Sequence, residues 1–145
     1  MYLPRHFSLL IAPPAWGKTR LFRQWLTTAS VPFLYVSPLR ALANEVALAA
    51  REVAPAWAPR GKQEWKSATA AWLEARGPRV LIVTPEQVAT LEWEELARRQ
   101  PETVVVWDEI HLVALWGESF RPAMLEGWWG FCASGLAGVG LTATA

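Results

Sequence analysis

The fold of this chain is limited first by where its polar motifs fall. Each one sits at the end of a short, almost wholly apolar run. Residues 7–12 (FSLLIA), 31–37 (VPFLYVS), 79–84 (RVLIVT), 103–108 (TVVVWD) and 138–145 (GVGLTATA) are such runs. Their length and their β-branched and aromatic content predict strands. Pro32 stands at a strand start, where a missing amide donor is tolerated. Between the runs the apolar period changes to that of a helix. Leu21, Phe22, Trp25 and Leu26 share one face of a helix over residues 18–29. Leu39, Leu42, Val46, Ala49 and Val53 recur at three- and four-residue intervals, behind Ser37 as N-cap and Pro38 in the first turn. A helix over residues 64–77 carries Trp65, Trp72 and Leu73 and stops at Gly77-Pro78. Thr84-Pro85 opens another that extends to about Arg99, and a last one covers much of residues 110–131. Residues 54–63, with two prolines and a glycine, read as a loop.

Strand and helix therefore alternate along the chain, and the strands lack a polar face. That pattern belongs to an α/β domain with a mostly parallel central sheet, covered by helices on both faces. In such sheets ligands bind beyond the carboxyl ends of the strands, which is where the motifs lie.

Composition narrows the functional classes. The chain has 145 residues, one domain's worth, and a net charge of +1. A near-neutral chain is not a generally basic nucleic-acid binder, so any such contact must be local. A single cysteine, Cys132, excludes an internal disulfide and a multi-cysteine metal site. No apolar run approaches the roughly 20 residues of a membrane helix, so no membrane partner is expected. The start of the chain has no signal-peptide pattern, and a cytoplasmic location is expected. Ten tryptophans are unusual; most are expected in the core, with two or three at the functional face.

After the first strand and before the first helix comes APPAWGKT, Ala12, Pro13, Pro14, Ala15, Trp16, Gly17, Lys18 and Thr19. The spacing is that of a phosphate-binding loop. Backbone amides at a helix N-terminus point at an anion. Lys18 suits the β- and γ-phosphates of ATP, and the Thr19 hydroxyl suits Mg2+. The alternative is a chance Gly-Lys-Thr at a helix start, which the strand–loop–helix context disfavours. Ala12 takes the place of the first glycine, and Ala15 that of the glycine preceding the last turn. Where that turn needs positive φ, alanine costs about 1 kcal/mol or more.

The run TVVVWD ends in an adjacent acid pair, Asp108 and Glu109. A phosphate loop needs a carboxylate across the sheet to hold Mg2+, a role for Asp108. Hydrolysis needs a second to orient and deprotonate water, a role for Glu109. Two solvated acids at a strand end are the plain alternative.

Taken in order, the motifs resemble the first RecA-like domain of superfamily 2 helicases of the DEAD/DEAH type, over nearly the whole chain. APPAWGKT is similar to motif I, VSPLRALANE to motif Ia, VTPEQ to the next strand-end motif, DEIH to motif II and LTATA to motif III. The resemblance implies a RecA-like P-loop NTPase three-layer sandwich that uses ATP and Mg2+. It implies that Pro38, Arg40, Thr84 and Pro85 grip a nucleic-acid backbone. It also implies that His111, Thr142, Ala143 and Thr144 couple nucleotide state to that grip. The plain alternatives are a solvated helix charge at Arg40, an ordinary N-cap at Thr84-Pro85 and a hydrogen-bonded core histidine at His111. WGESFRP resembles the aromatic-rich loop of RecQ-type helicases, which implies that Trp116, Phe120 and Arg121 contact single-stranded or forked DNA. Stacking on such aromatics is worth roughly 1–3 kcal/mol per base. The alternative is that these aromatics join Trp128 and Trp129 in the core. DEIHL is closer to Ski-type helicases, so the features of subfamilies are mixed. Helicases of this superfamily act through a second RecA-like domain; its motifs are not in these residues. A fragment of a longer chain is expected, the alternative being a half that works with a second polypeptide. The functional expectation is the ATP-binding half of an ATP-dependent helicase or translocase. A non-hydrolysing nucleotide- and nucleic-acid-binding module, or a P-loop NTPase outside the helicases, stands as the alternative.

Overall fold

In a computed structural model, which describes residues 6–11, 16–111 and 122–142, the alternation becomes a parallel sheet between two helical layers. The strands are β1 (Phe7–Ile11), β2 (Pro32–Val36), β3 (Ala56–Trp57), β4 (Arg79–Val83), β5 (Val104–Asp108) and β6 (Ala137–Thr142). The helices are α1 (Trp16–Thr28), α2 (Arg40–Arg51), α3 (Gly61–Glu74), α4 (Pro85–Val88), α5 (Trp93–Arg99) and α6 (Pro122–Ser134). The spatial order is β1-β6-β5-β2-β4-β3, and every pairing is parallel. All carboxyl ends therefore share one edge of the sheet, which brings motifs far apart in sequence into one row.

Two cores follow from the period-2 alternation of the strands. Phe33, Tyr35, Val80, Ile82, Val106, Val139 and Leu141 face α1 and α2, where they meet Phe22, Leu26, Ala43, Val46, Ala47 and Ala50. Leu34, Val36, Leu81, Val83, Val105 and Trp107 face the other way, against Trp72, Val88, Trp93, Leu96, Trp128 and Phe131. β2 and β4 are buried along their whole length, as expected of strands covered on both faces.

The second layer is an aromatic cluster. Trp107 and Trp128 meet edge-on with centroids 5.2 Å apart, and Phe131 lies 5.5 Å from Trp128. Helix α6 approaches α4 and α5 through glycines. A Cβ on Gly127 would lie 2.5 Å from Val88 Cγ1, and one on Gly130 would lie 2.2 Å from Trp93 Cδ1. At the start of β4 Arg79 is buried. Its Nε donates to the Trp72 carbonyl at 2.6 Å and its Nη1 to that of Gly77 at 2.8 Å, so it serves carbonyls at and beyond the end of α3.

Six local expectations need correction. The loop expected over 54–63 contains β3, a two-residue edge strand paired with Val80 and Leu81; Pro55 and Pro59 bracket it and keep it short. Helix α3 accordingly spans Gly61–Glu74, not 64–77. The helix expected from Thr84 to Arg99 is broken between Val88 and Trp93. There the Thr90 hydroxyl and amide both bond the Gln87 carbonyl, offering the backbone a turn instead of a helical bond. Ser37 does not cap α2: its Oγ donates to the Leu39 carbonyl, and Leu39 itself is the N-cap, with no side-chain cap. Finally, α2 buries Ala43, Val46, Ala47 and Ala50, while Leu39 and Leu48 are 49% and 67% exposed. Small residues let the helix lie close to the sheet, so the alanines, not the leucines, form its inner face. Of the adjacent pair Trp128 and Trp129, only Trp128 is core; Trp129 is 52% exposed, since neighbours on a helix point about 100° apart.

Candidate functional site

Strand β5 aims the site. Its alternation places Val106 and Asp108 on the α1 side of the sheet, and Val105 and Trp107 on the aromatic side. Continued regularly, the strand would send Glu109 to the aromatic side as well. Instead Glu109 has φ +54°, the one non-glycine residue with positive φ among the described residues. A left-handed residue with a Cβ costs roughly 1–2 kcal/mol. The local break ends the strand and turns Glu109 back, so that both acids reach the same lysine.

That lysine is Lys18, near the start of α1. Its Nζ donates to Asp108 Oδ1 at 2.9 Å and to Glu109 Oε1 in a still closer contact. Burial disfavours the ammonium, but the hydrogen bonds and charges of Glu109 and Asp108 outweigh it and hold its pKa above the ordinary lysine value. The other oxygen of Asp108, Oδ2, accepts from the buried Tyr35 hydroxyl at 2.9 Å. Burial first, then the Asp108 charge, push the Tyr35 phenol well above its ordinary pKa, so it stays protonated and donates. Lys18, Thr19, Tyr35 and Asp108 line a cavity of about 590 Å³, walled further by Arg20, Arg23 and Glu45. A smaller cavity of about 360 Å³ lies between α3 and α5, away from the acid pair.

The contact chain continues past the acids. His111 Nε2 lies 3.7 Å from Glu109 Oε2, an ion pair when the imidazole is charged. His111 Nδ1 lies 3.3 Å from Thr142 Oγ1 at the end of β6. Tyr35, Asp108, Lys18, Glu109, His111 and Thr142 thus form one series spanning three strand ends and one helix start.

The remaining motif residues sit along the same edge, but in differing states. Pro38 is buried. Arg40 is half-buried, with its Nη1 shielded from solvent and without a hydrogen-bond partner among the described residues. Pro85 is buried, and the Thr84 hydroxyl is engaged in a capping box: it accepts from the Gln87 amide, while Gln87 Oε1 accepts from the Thr84 amide. The Gln87 side chain also donates to the Pro59 carbonyl at 2.9 Å, fastening the preceding loop. Gly17 and Thr19 are half-buried at the start of α1. Ala12, Pro13, Pro14, Ala15, Trp116, Phe120, Arg121, Ala143, Thr144 and the side chain of Trp16 lie outside the described residues. Two participants escape sequence reasoning, Tyr35 and the backbone turn at Glu109. The first becomes visible only through the register that sets Tyr35 opposite Val106, two residues before Asp108.

A parallel sheet that sets a lysine from its first helix against an acid pair at the carboxyl edge defines the RecA-like class of α/β domain. The chain belongs to the DEAD/DEAH box helicase family, whose sequence profile matches residues 3–145. Among solved structures it is similar to the UvsW helicase of bacteriophage T4, at 17% identity and a TM-score of 0.56, over 97% of this chain and 47% of that one. A second T4 UvsW structure gives 16% identity and a TM-score of 0.58, over 96% of this chain and 27% of that one. The chain thus spans less than half the length of either, and the likeness is one of fold. A comparison with curated protein sequences finds no match.

Proposed function

We propose that this chain is the ATP-binding half of an ATP-dependent nucleic-acid helicase or translocase, working with a second RecA-like domain. The observation that carries the reading is that Lys18, which lines the large cavity with Asp108, reaches both Asp108 and Glu109. Membership of the helicase family supports it.

The residues fit Mg·ATP on their own chemistry. Asp108 is a buried carboxylate at a strand end, Thr19 lines the same cavity, and a cation already rests between the acids. Asp108 and Thr19 would hold Mg2+, which when bound neutralises phosphate charge. Lys18 would leave the carboxylates for the β- and γ-phosphates, an exchange of one anionic partner for another. Glu109, then free of Lys18, would accept the proton of the attacking water. His111 touches both Glu109 and Thr142, so movement at the end of β6 has a direct route to the base. Arg40, with a guanidinium nitrogen that has no hydrogen-bond partner among the described residues, suits a backbone phosphate. Pro38, Thr84 and Pro85 suit a contact made by backbone, because their side chains are buried or engaged. The assignment of Trp116, Phe120 and Arg121 to single-stranded or forked DNA rests on sequence resemblance.

A second reading, nucleotide binding without hydrolysis, draws on the same contact. While Lys18 is seated on Glu109 the base is quenched. The test is ATPase of the chain alone and of the chain fused to a second RecA-like domain. Low activity alone, DNA-stimulated turnover in the fusion and its loss in Glu109→Gln are expected. Turnover that survives Glu109→Gln would refute the helicase mechanism, and binding with no turnover in the fusion would favour the module.

A further inference from the structure

We propose that Tyr35 is a positioning residue for the metal site at Asp108: its buried phenol holds one carboxylate oxygen so that the other stays turned to the nucleotide cavity. The inference rests on the Mg·ATP reading above and names a residue that reading does not use.

The two oxygens of Asp108 have partners of opposite kind. Oδ1 accepts from Lys18, whose long side chain is only partly buried and can move to a phosphate. Oδ2 accepts from Tyr35, which is 1% exposed and fixed on a central strand. The Tyr35 ring is held by Phe22, with centroids 4.8 Å apart. Phe22 in turn meets Phe33 at 5.4 Å. The phenol therefore has little freedom to swing away.

The register explains the reach. Tyr35 pairs with Val106, and Asp108 is two residues further along the same face. With strands about 4.8 Å apart and a rise of about 6.6 Å over two residues, such diagonal neighbours lie about 8 Å apart, within range of an aromatic side chain. Packing alone would be satisfied by phenylalanine, since the ring lies among Phe22, Phe33 and Val106. The hydroxyl adds one thing, the bond to Asp108.

A carboxylate hydrogen-bonded at Oδ2 is biased against rotation about its Cβ–Cγ bond. When Lys18 departs, Oδ1 is left as a single acceptor at the cavity wall, already aimed. Without the phenol, Asp108 would have to be ordered anew each time a metal bound. Groups that hydrogen-bond a metal's ligand typically change metal affinity by roughly 10- to 100-fold when removed.

The experiment is a Mg2+ titration of binding of a fluorescent ATP analogue to the 145-residue chain, with an EDTA control and thermal melting in parallel. Tyr35→Phe is expected to need roughly 10- to 100-fold more Mg2+ than the wild-type chain for half its effect on nucleotide binding. A lowered melting temperature with an unchanged Mg2+ requirement would mean a purely structural role and would overturn the proposal. Asp108→Asn provides the second check: Tyr35→Phe should add nothing to its Mg2+ requirement, and additive effects would overturn the proposal too. A wild-type chain that binds no nucleotide, with or without Mg2+, would refute the Mg·ATP reading itself. That result is distinct from a wild type and a variant that both bind Mg·ATP normally.

Discussion

The two faces of the sheet are built by different rules. The face toward α3, α5 and α6 is aromatic, with Trp72, Trp93, Trp107, Trp128 and Phe131 in one cluster. The face toward α1 and α2 uses alanines on α2 and carries the polar machinery at its rim, Tyr35, Asp108 and Lys18. The first face derives its strength from area, since each large ring buries much apolar surface. The second gives up area for a close helix and a row of buried polar groups that satisfy one another. Burying such groups is costly unless each has a partner. The series from Tyr35 to Lys18 supplies those partners. Stability and chemistry are thereby separated onto opposite faces, and β5 is where they meet: Trp107 points one way and Asp108 the other.

Mutation can test this division of labour between the faces. The largest expected effect is on the chemical face. Glu109→Gln should lower kcat of the fused, two-domain protein by roughly 100- to 10,000-fold, with the melting temperature nearly kept. On the aromatic face Trp128→Ala should cost about 3–5 kcal/mol of stability in urea unfolding. A loss within about 0.5 kcal/mol, the range of neutral surface changes, would show that this face is not the stabilising one.

Gly130→Ala is the next step down. A Cβ there would lie 2.2 Å from Trp93 Cδ1, and overpacking of this kind costs about 1–3 kcal/mol. Equal stability of the variant in a denaturant melt would mean that α6 is free to shift. Glu109→Gly tests the turn itself. Glycine accepts φ near +54° without the Cβ penalty, although losing the Lys18 contact opposes the gain. Glu109→Gly should therefore be more stable than Glu109→Ala by about 1 kcal/mol and melt at a higher temperature, with hydrolysis lost in both. Equal melting would show that the positive φ carries no strain.

The smallest effect is chemical. Burial pushes the Cys132 thiol up to about 11. A thiol with its pKa raised to that level is almost wholly protonated below it, and thiolate appears only as pH rises. At pH 8 the thiolate fraction should be about one in a thousand, so alkylation by iodoacetamide should lag far behind that of a small soluble thiol and quicken with pH. Rapid labelling at neutral pH would place Cys132 outside the packed aromatic face.

Much of this architecture is legible in the residues alone. Strands β1, β2, β4 and β5 fall within one residue of their expected bounds, because a buried parallel strand leaves an unbroken apolar run. Lys18, Asp108 and Glu109 are legible as a group from residue type and position, the lysine at the start of the first helix and the acids at a strand end. The inner face of α2 is not. Leu39 and Leu42 look like core, yet what counts is the distance between helix and sheet, and the alanines set it. Nor is the break after Val88 legible, since Thr90 fits a helix until its hydroxyl finds the Gln87 carbonyl. β3 hides in a proline-rich loop because two residues have no period to read.

Local composition is enough to set the alternation of elements, the common edge where the motifs gather and the identity of the lysine and the two acids. The common edge follows from the rule that parallel strands end together. Three contacts come from the tertiary structure alone: Tyr35 bonds Asp108, Glu109 turns back through a left-handed residue to reach Lys18, and His111 bridges Glu109 to Thr142. They depend on strand order and register, which bring residues 31, 73 and 91 positions apart into hydrogen-bond range. No pattern within a single segment encodes a neighbour supplied by another.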